Sequence, residues 1–152
     1  MSLLTPMLRT SPLTDWFSDV QRVQGMLDFE AALVRAEVEC GLVPQTALNP
    51  IIESCRHEKI DFSALGQAAA SAGNLAIPLV KERNEAAARY VHWGATSQDA
   101  IDTGFILQLR GALAETESLL QRLLDALARQ AERHQDTVMP GRTWQLGVNV
   151  DF

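Results

Sequence analysis

An all-α protein is what this sequence predicts, with an N-terminal helical domain over residues 1–96 and a second part over residues 97–152 that opens on one very long helix. Three observations lead there. Apolar residues recur at three- and four-residue spacing in one segment after another, which places them on single faces of helices. Strand signals, short alternating runs bounded by turn residues, are nearly absent. From Ser97 to about Gln135 the helical pattern scarcely pauses, a length far beyond what a domain of 152 residues needs.

Composition excludes several classes of function. A net charge of −6 with no run of Lys or Arg argues against a nucleic-acid or anionic-membrane surface. No apolar run reaches transmembrane length, and Met1 to Thr10 lacks the long apolar stretch of a signal peptide, so a cytoplasmic protein is expected. Cys40 and Cys55 fall within helical patterns and read as small core residues of a reducing compartment.

In chain order, Met1 to Leu13 carries Pro6 and Pro12 and reads as an irregular arm of the kind that wraps a partner subunit, with a short helical turn from Thr14 through Ser18. The first strong helix spans about Ser18 to Cys40, because Val20, Val23, Leu27, Ala31, Val34 and Val38 share a face. Gly41 ends it and Pro44 blocks its continuation. Glu30 and Glu37 lie seven apart on one face and read as its wet side. A shorter helix is expected between Thr46 and His57, with Asn49-Pro50 as its cap and first-turn proline and His57 solvated. Asp61 reads as the N-cap of a helix carrying Phe62, Leu65 and Ala68-Ala69-Ala70 and stopping near Gly73. Another helix is expected to begin around Pro78 and run into Lys81 to Asn84, before an alanine-rich stretch from Glu85 to Tyr90.

The segment from His92 to Gly104 organises the chain, since a polar, hydroxyl-rich turn there leads into the longest apolar-periodic stretch. Thr96 followed by Asp99 fits a capping box, in which hydroxyl and carboxylate each satisfy a backbone N–H at a helix start. The same geometry, with Gly94 ahead and Ser97 adjacent, also suits an anion, because free N–H groups and the positive end of the helix dipole face outward. Beyond it, Ile106, Leu109, Leu113, Thr116, Leu120, Leu123 and Leu127 form a stripe that Leu119, Leu124 and Ala131 widen. A helix of roughly 55–60 Å follows at 1.5 Å per residue. Covering so wide a stripe takes several partner helices. The remaining chain supplies none, so either other subunits cover it or the chain is the front part of something larger.

The run His92-Trp93-Gly94-Ala95-Thr96-Ser97-Gln98-Asp99, followed by Asp102-Thr103, resembles the first signature of the fumarase/aspartase superfamily. Leu27-Asp28-Phe29-Glu30-Ala31-Ala32-Leu33 with Gly41-Leu42-Val43-Pro44 is similar to that superfamily's first long helix and its exit. Ser71 to Val80, together with Trp93 and Gln98, resembles the cycloisomerase branch, as does Met139-Pro140-Gly141-Arg142-Thr143-Trp144 at the second signature. Purine-pathway lyases of the superfamily have a His-Asp pair near Gly73-Asn74 and a histidine where this chain has Trp144. The resemblance covers about Pro12 to Trp144, after which Gln145 to Phe152 match nothing expected, and it implies that residues 97–152 hold the first long helix of a central helical bundle, truncated.

The resemblance implies lactonisation of a tricarboxylated muconate in aromatic catabolism. His92, Thr96 and Ser97 would be catalytic, and Thr96, Ser97, Gln98, Arg142 and Thr143 would bind substrate. Thr96 and Ser97 would stabilise charge developing on a carboxylate as fixed donors. Arg142 would pair with a second carboxylate, and Asp99 would orient Thr96. No metal constellation or phosphate loop is present, so no metal and no cofactor is expected. The implied partners are a small tricarboxylate and further copies of the chain, as a homotetramer in full-length relatives. The superfamily's serine base lies on a mobile loop far downstream of this region, so the chain is expected to be a truncated, inactive form. The alternatives are a lyase of the adenylosuccinate or argininosuccinate type and a non-catalytic helical interaction fragment.

Overall fold

The computed structural model describes residues 11–81, 89–142 and 147–151. The expected arm over Met1 to Thr10, the continuation from Glu82 into Asn84, the stretch Glu85 to Ala88 and Thr143 lie outside them. The helices are α1 Leu13–Trp16, α2 Asp19–Glu39, α3 Gln45–Ser54, a 3-10 turn His57–Lys59, α4 Phe62–Ala72, α5 Ala76–Lys81 and α6 Ser97–His134. They give the all-α architecture that the periodicity predicts. The chain divides into two compact units, Met1–Ala112 and Leu113–Phe152, and α6 runs through the division.

In the first unit α2 is the central element. Ser18 caps it, its hydroxyl accepting from Gln21 N–H at 3.3 Å. At the other end Gly41 adopts φ 73°, and the N–H groups of Leu42 and Gly41 donate to the carbonyls of Glu37 and Val38 at 2.8 and 3.0 Å. This left-handed exit satisfies carbonyls that the helix leaves unpaired. Val23, Met26, Leu27, Ala31 and Val34 on α2 form one core with Ile51, Leu65, Leu79, Val91 and Ala100. The same helix buries Glu30 and Glu37, which corrects the reading of these carboxylates as a wet face. Spacing alone places both on one side of α2 and does not say which neighbour covers that side.

Several boundaries differ from expectation. Helix α3 begins at Gln45 behind Pro44, and Pro50 sits inside it, where its ring forgoes one backbone hydrogen bond while Ile51 beside it is fully buried. Cys40 is exposed at the C-cap of α2, whereas Cys55 is buried at the C-cap of α3. Both cysteines end helices, and the end of α2 carries its first cysteine out of the core. His57 is half-buried because Gln24 Oε1 accepts its backbone N–H at 3.0 Å and lies 2.9 Å from its Nδ1. Helix α5 starts at Ala76, two residues before Pro78, since Asn74 Oδ1 accepts from Ala76 N–H at 2.8 Å. Asp61 and Gly73 bound α4 as read.

Helix α6 has 38 residues and is about 57 Å long. In the first unit its packed face is Ala100, Gly104, Gln108 and Ala112, a row spaced by four in which small residues let backbones approach. Phe105, Ile106, Leu113, Leu120, Leu123, Leu124 and Leu127 are all more than half exposed. Past α6, β1 Val138–Arg142 pairs antiparallel with β2 Gly147–Asp151, in the register Val138 to Asp151 and Arg142 to Gly147. This hairpin was not expected, because its alternation, Gly147-Val148-Asn149-Val150-Asp151, is too short to stand out as a period of two.

Candidate active site

The turn that precedes α6 bends twice through the left-handed region, at His92 (φ 61°) and at Gly94 (φ 75°). Glycine adopts this conformation freely; a histidine does so at a cost that its surroundings must offset. His92 is tied down by Glu30 from the middle of α2, with Nδ1 2.6 Å from the carboxylate Oε1. Side-chain exposure is 16% for His92 and 2% for Glu30. Trp93, next in the turn, is half exposed and stacks obliquely on Tyr90 with ring centroids 5.8 Å apart.

Where α6 begins, the capping box forms as the spacing predicts. Thr96 N–H donates to Asp99 Oδ2 at 2.7 Å, and Asp99 N–H approaches Thr96 Oγ1 at 3.4 Å. The Thr96 hydroxyl also donates to Asp99 Oδ2, at 2.8 Å. Asp99 is held below its ordinary carboxylate value, first by the Thr96 backbone N–H, then by the Thr96 hydroxyl, with a smaller contribution from the charge of His92. The Thr96 proton is thereby committed to Asp99, while Ser97 beside it is half-buried at the helix start. Gln98 donates its amide to Asp102 Oδ1 at 2.6 Å, one turn along α6.

Four of the residues singled out in the sequence, His92, Thr96, Ser97 and Gln98, therefore lie on one turn and the helix start behind it. Arg142 is the last residue of β1 in the second unit, paired with Gly147. A cavity of about 250 Å³ lined by Arg22, Met26, Leu75, Ile101, Asp102, Phe105 and Gln108 includes none of the predicted site residues. Sequence reasoning missed Glu30. Its signal was weak, a carboxylate on the same helical face as Val23, Leu27 and Val34, because a single charge on an apolar face is only suggestive.

The helical body thus has a capping box and a buried carboxylate–histidine pair gathered where its longest helix starts. Residues 7–146 match the model of the lyase family, and the chain belongs to that family. Within it the chain is similar to cycloisomerases. It is 57% identical over 141 residues to 3-carboxy-cis,cis-muconate cycloisomerase of Pseudomonas aeruginosa, covering 88% of this chain and 31% of that protein. Identity to the enzyme of the same name from Pseudomonas putida is 54% over 143 residues, covering 89% of this chain and 34% of that one. Among solved structures, the 3-carboxy-cis,cis-muconate lactonizing enzyme from Pseudomonas putida superposes with a TM-score of 0.87 at 50% identity, over 96% of this chain and 35% of that chain. The chain thus spans about a third of the length of the curated relatives it matches. The cycloisomerase branch read from the motifs is the branch to which these relatives belong.

Proposed function

We propose that this chain provides part of the active site of a cycloisomerase that closes 3-carboxy-cis,cis-muconate to its lactone in aromatic catabolism. The observation that carries the reading is the grouping of His92 and Ser97 around the Thr96–Asp99 box, in a chain 57% identical to a cycloisomerase. In the reaction one carboxylate oxygen adds across a C=C bond, and the electron pair of that bond moves toward a second carboxylate, where negative charge accumulates until a proton is taken up at carbon. Backbone N–H groups at the start of α6 and the Ser97 hydroxyl suit that charge as donors already in place. Thr96, committed to Asp99, fixes the shape of the turn and contributes its backbone. His92 meets a carboxylate or the reacting centre, and Gln98, Arg142 and Thr143 bind the remaining carboxylates.

On this reading the protein works as a homotetramer in the cytoplasm. Subunits cover the leucine face of α6, and other segments complete the site to which this chain contributes. Residues 1–152, about a third of the length of these relatives, are then inactive when assayed without the remaining segments. Joining residues 1–144 to the remaining two-thirds of the Pseudomonas aeruginosa relative, and assaying the product on 3-carboxymuconate and on adenylosuccinate, tests the substrate. Lactone formation without lyase activity is expected; cleavage of adenylosuccinate alone would overturn the reading.

A further inference from the structure

We propose that Glu30 is a positioning residue for His92: its carboxylate accepts the Nδ1 proton, fixes the tautomer and plane of the ring, and leaves Nε2 as the nitrogen that meets the substrate. The proposal rests on the reading of His92 as a group that faces substrate.

Three features single Glu30 out. The 2.6 Å contact between Nδ1 and Oε1 is at the short end for a hydrogen bond and fits one that involves charge. It joins residues 62 apart in sequence, linking the middle of α2 to the turn before α6. Glu30 is only 3% exposed, and its Oε2 has no hydrogen-bond partner among the described residues. A carboxylate with an orphaned oxygen is an expensive core residue, and a leucine of similar volume would stabilise the helix packing more. What a leucine lacks is an acceptor for an imidazole N–H.

Glu37, two turns along the same face, supports the assignment. It too is buried with an orphaned Oε2. Burial first, and then the negative charge of Glu30, push its carboxyl above the ordinary value. Of the two buried carboxylates, Glu30 is the one against which the His92 ring lies. The left-handed backbone at His92 completes the picture. A turn held in that conformation directs the ring at one partner, and the short bond to Glu30 offsets part of its cost. With Nδ1–H given to Glu30, Nε2 accepts a proton when the ring is neutral and donates one when it is charged.

Nitrogen-15 spectra of the His92 ring in the full chain test this directly. In the neutral ring of the unaltered chain, Nδ1 is expected to carry the proton and Nε2 the lone pair. Glu30→Gln keeps an acceptor and should keep that tautomer; Glu30→Ala removes it and should transfer the proton to Nε2. Propane-1,2,3-tricarboxylate added as a probe should then move the Nε2 signal, with about tenfold weaker binding in Glu30→Ala than in Glu30→Gln. An Nε2-protonated ring in the unaltered chain overturns the proposal without recourse to any variant, and so does a tautomer indifferent to Glu30→Ala. An Nε2 signal that the tricarboxylate leaves unmoved overturns instead the reading of His92 as facing substrate, with the tautomer result still standing.

Discussion

Gly25 on α2 and Gly104 on α6 cross backbone against backbone. A Cβ on Gly25 would lie 2.8 Å from the Gly104 carbonyl oxygen, and one on Gly104 would lie 2.9 Å from the Met26 nitrogen. This approach lets α6 lay its row of Ala100, Gly104, Gln108 and Ala112 against the first unit. The turn at its start, with His92, is thereby held beside Glu30.

Gly104→Ala should accordingly destabilise the first unit by about 1–3 kcal/mol, because the new methyl meets backbone that can yield only if the helices part. Gly66→Ala on α4 is the matched control. Nothing lies within 4 Å of its added Cβ, so the gain in helix propensity should stabilise by about 0.5–1 kcal/mol. Urea midpoints of the two variants moving in opposite directions check the crossing; equal shifts would contradict it.

The capping box separates two neighbouring hydroxyls. Thr96 gives its proton to Asp99, so Thr96→Ala should act first on folding and cost about 0.5–2 kcal/mol of stability. Ser97→Ala should leave stability nearly unchanged. In the full-length fusion it should lower kcat/KM by an amount equivalent to about 1.5–4 kcal/mol. Denaturation of both variants beside steady-state kinetics of the fusions measures the division, and an identical pair of profiles would remove it.

Two carboxyls give the stability opposite dependences on pH. Glu37 has a native value above its unfolded one, so the folded chain binds its proton more readily, and stability declines as pH rises from the ordinary carboxylate value through the raised native value. Glu37→Gln should therefore stabilise the chain at neutral pH and bring little benefit near pH 4, roughly the ordinary carboxylate value. Asp99 is depressed, so its contribution is present above the unfolded value and is lost as pH falls through the native one. Asp99→Asn should flatten the acid limb of the stability curve. Urea midpoints across the acid range distinguish the two variants.

Much of this architecture is written locally. The Asp61 and Thr96 caps and the glycine exits at Gly41 and Gly73 follow from residues within a few positions of each helix end, and all four stand where the sequence puts them. The misread features depend on distant neighbours. Glu30 looks solvated until His92 arrives from 62 residues away, and Pro50 looks like a helix start until burial of Ile51 holds α3 together around it. The packed face of α6 was hidden for a related reason. Leucines dominate any hydrophobic count, whereas the row that packs in the first unit is made largely of alanine and glycine, chosen for close approach and contributing little apolar area. The site shows the same division: the capping box was legible, and the carboxylate behind the histidine was not.

The leucine face of α6 makes the last prediction. In the second unit Leu113, Leu120, Leu124 and Leu127 are 59, 54, 60 and 57% exposed, and their spacing of three, four and seven places them along one side of the helix. A run of this length is larger than the apolar patches monomeric proteins usually leave in water. Four half-exposed leucines also give the helix itself little stability, so a covering apolar surface is what would favour their retention over polar residues. A second copy meets the requirement with no further component, because a helix face that is apolar throughout can bury itself against its own duplicate. The chain should therefore sediment as an oligomer, and Leu120→Glu with Leu127→Glu should shift it to monomer. Because both positions belong to the second unit and the core around α2 to the first, the stability of the first unit should stay within about 0.5 kcal/mol of the parent. A parent chain that sediments as a monomer at high concentration would show that these leucines tolerate water, and would remove the argument that subunits cover this face.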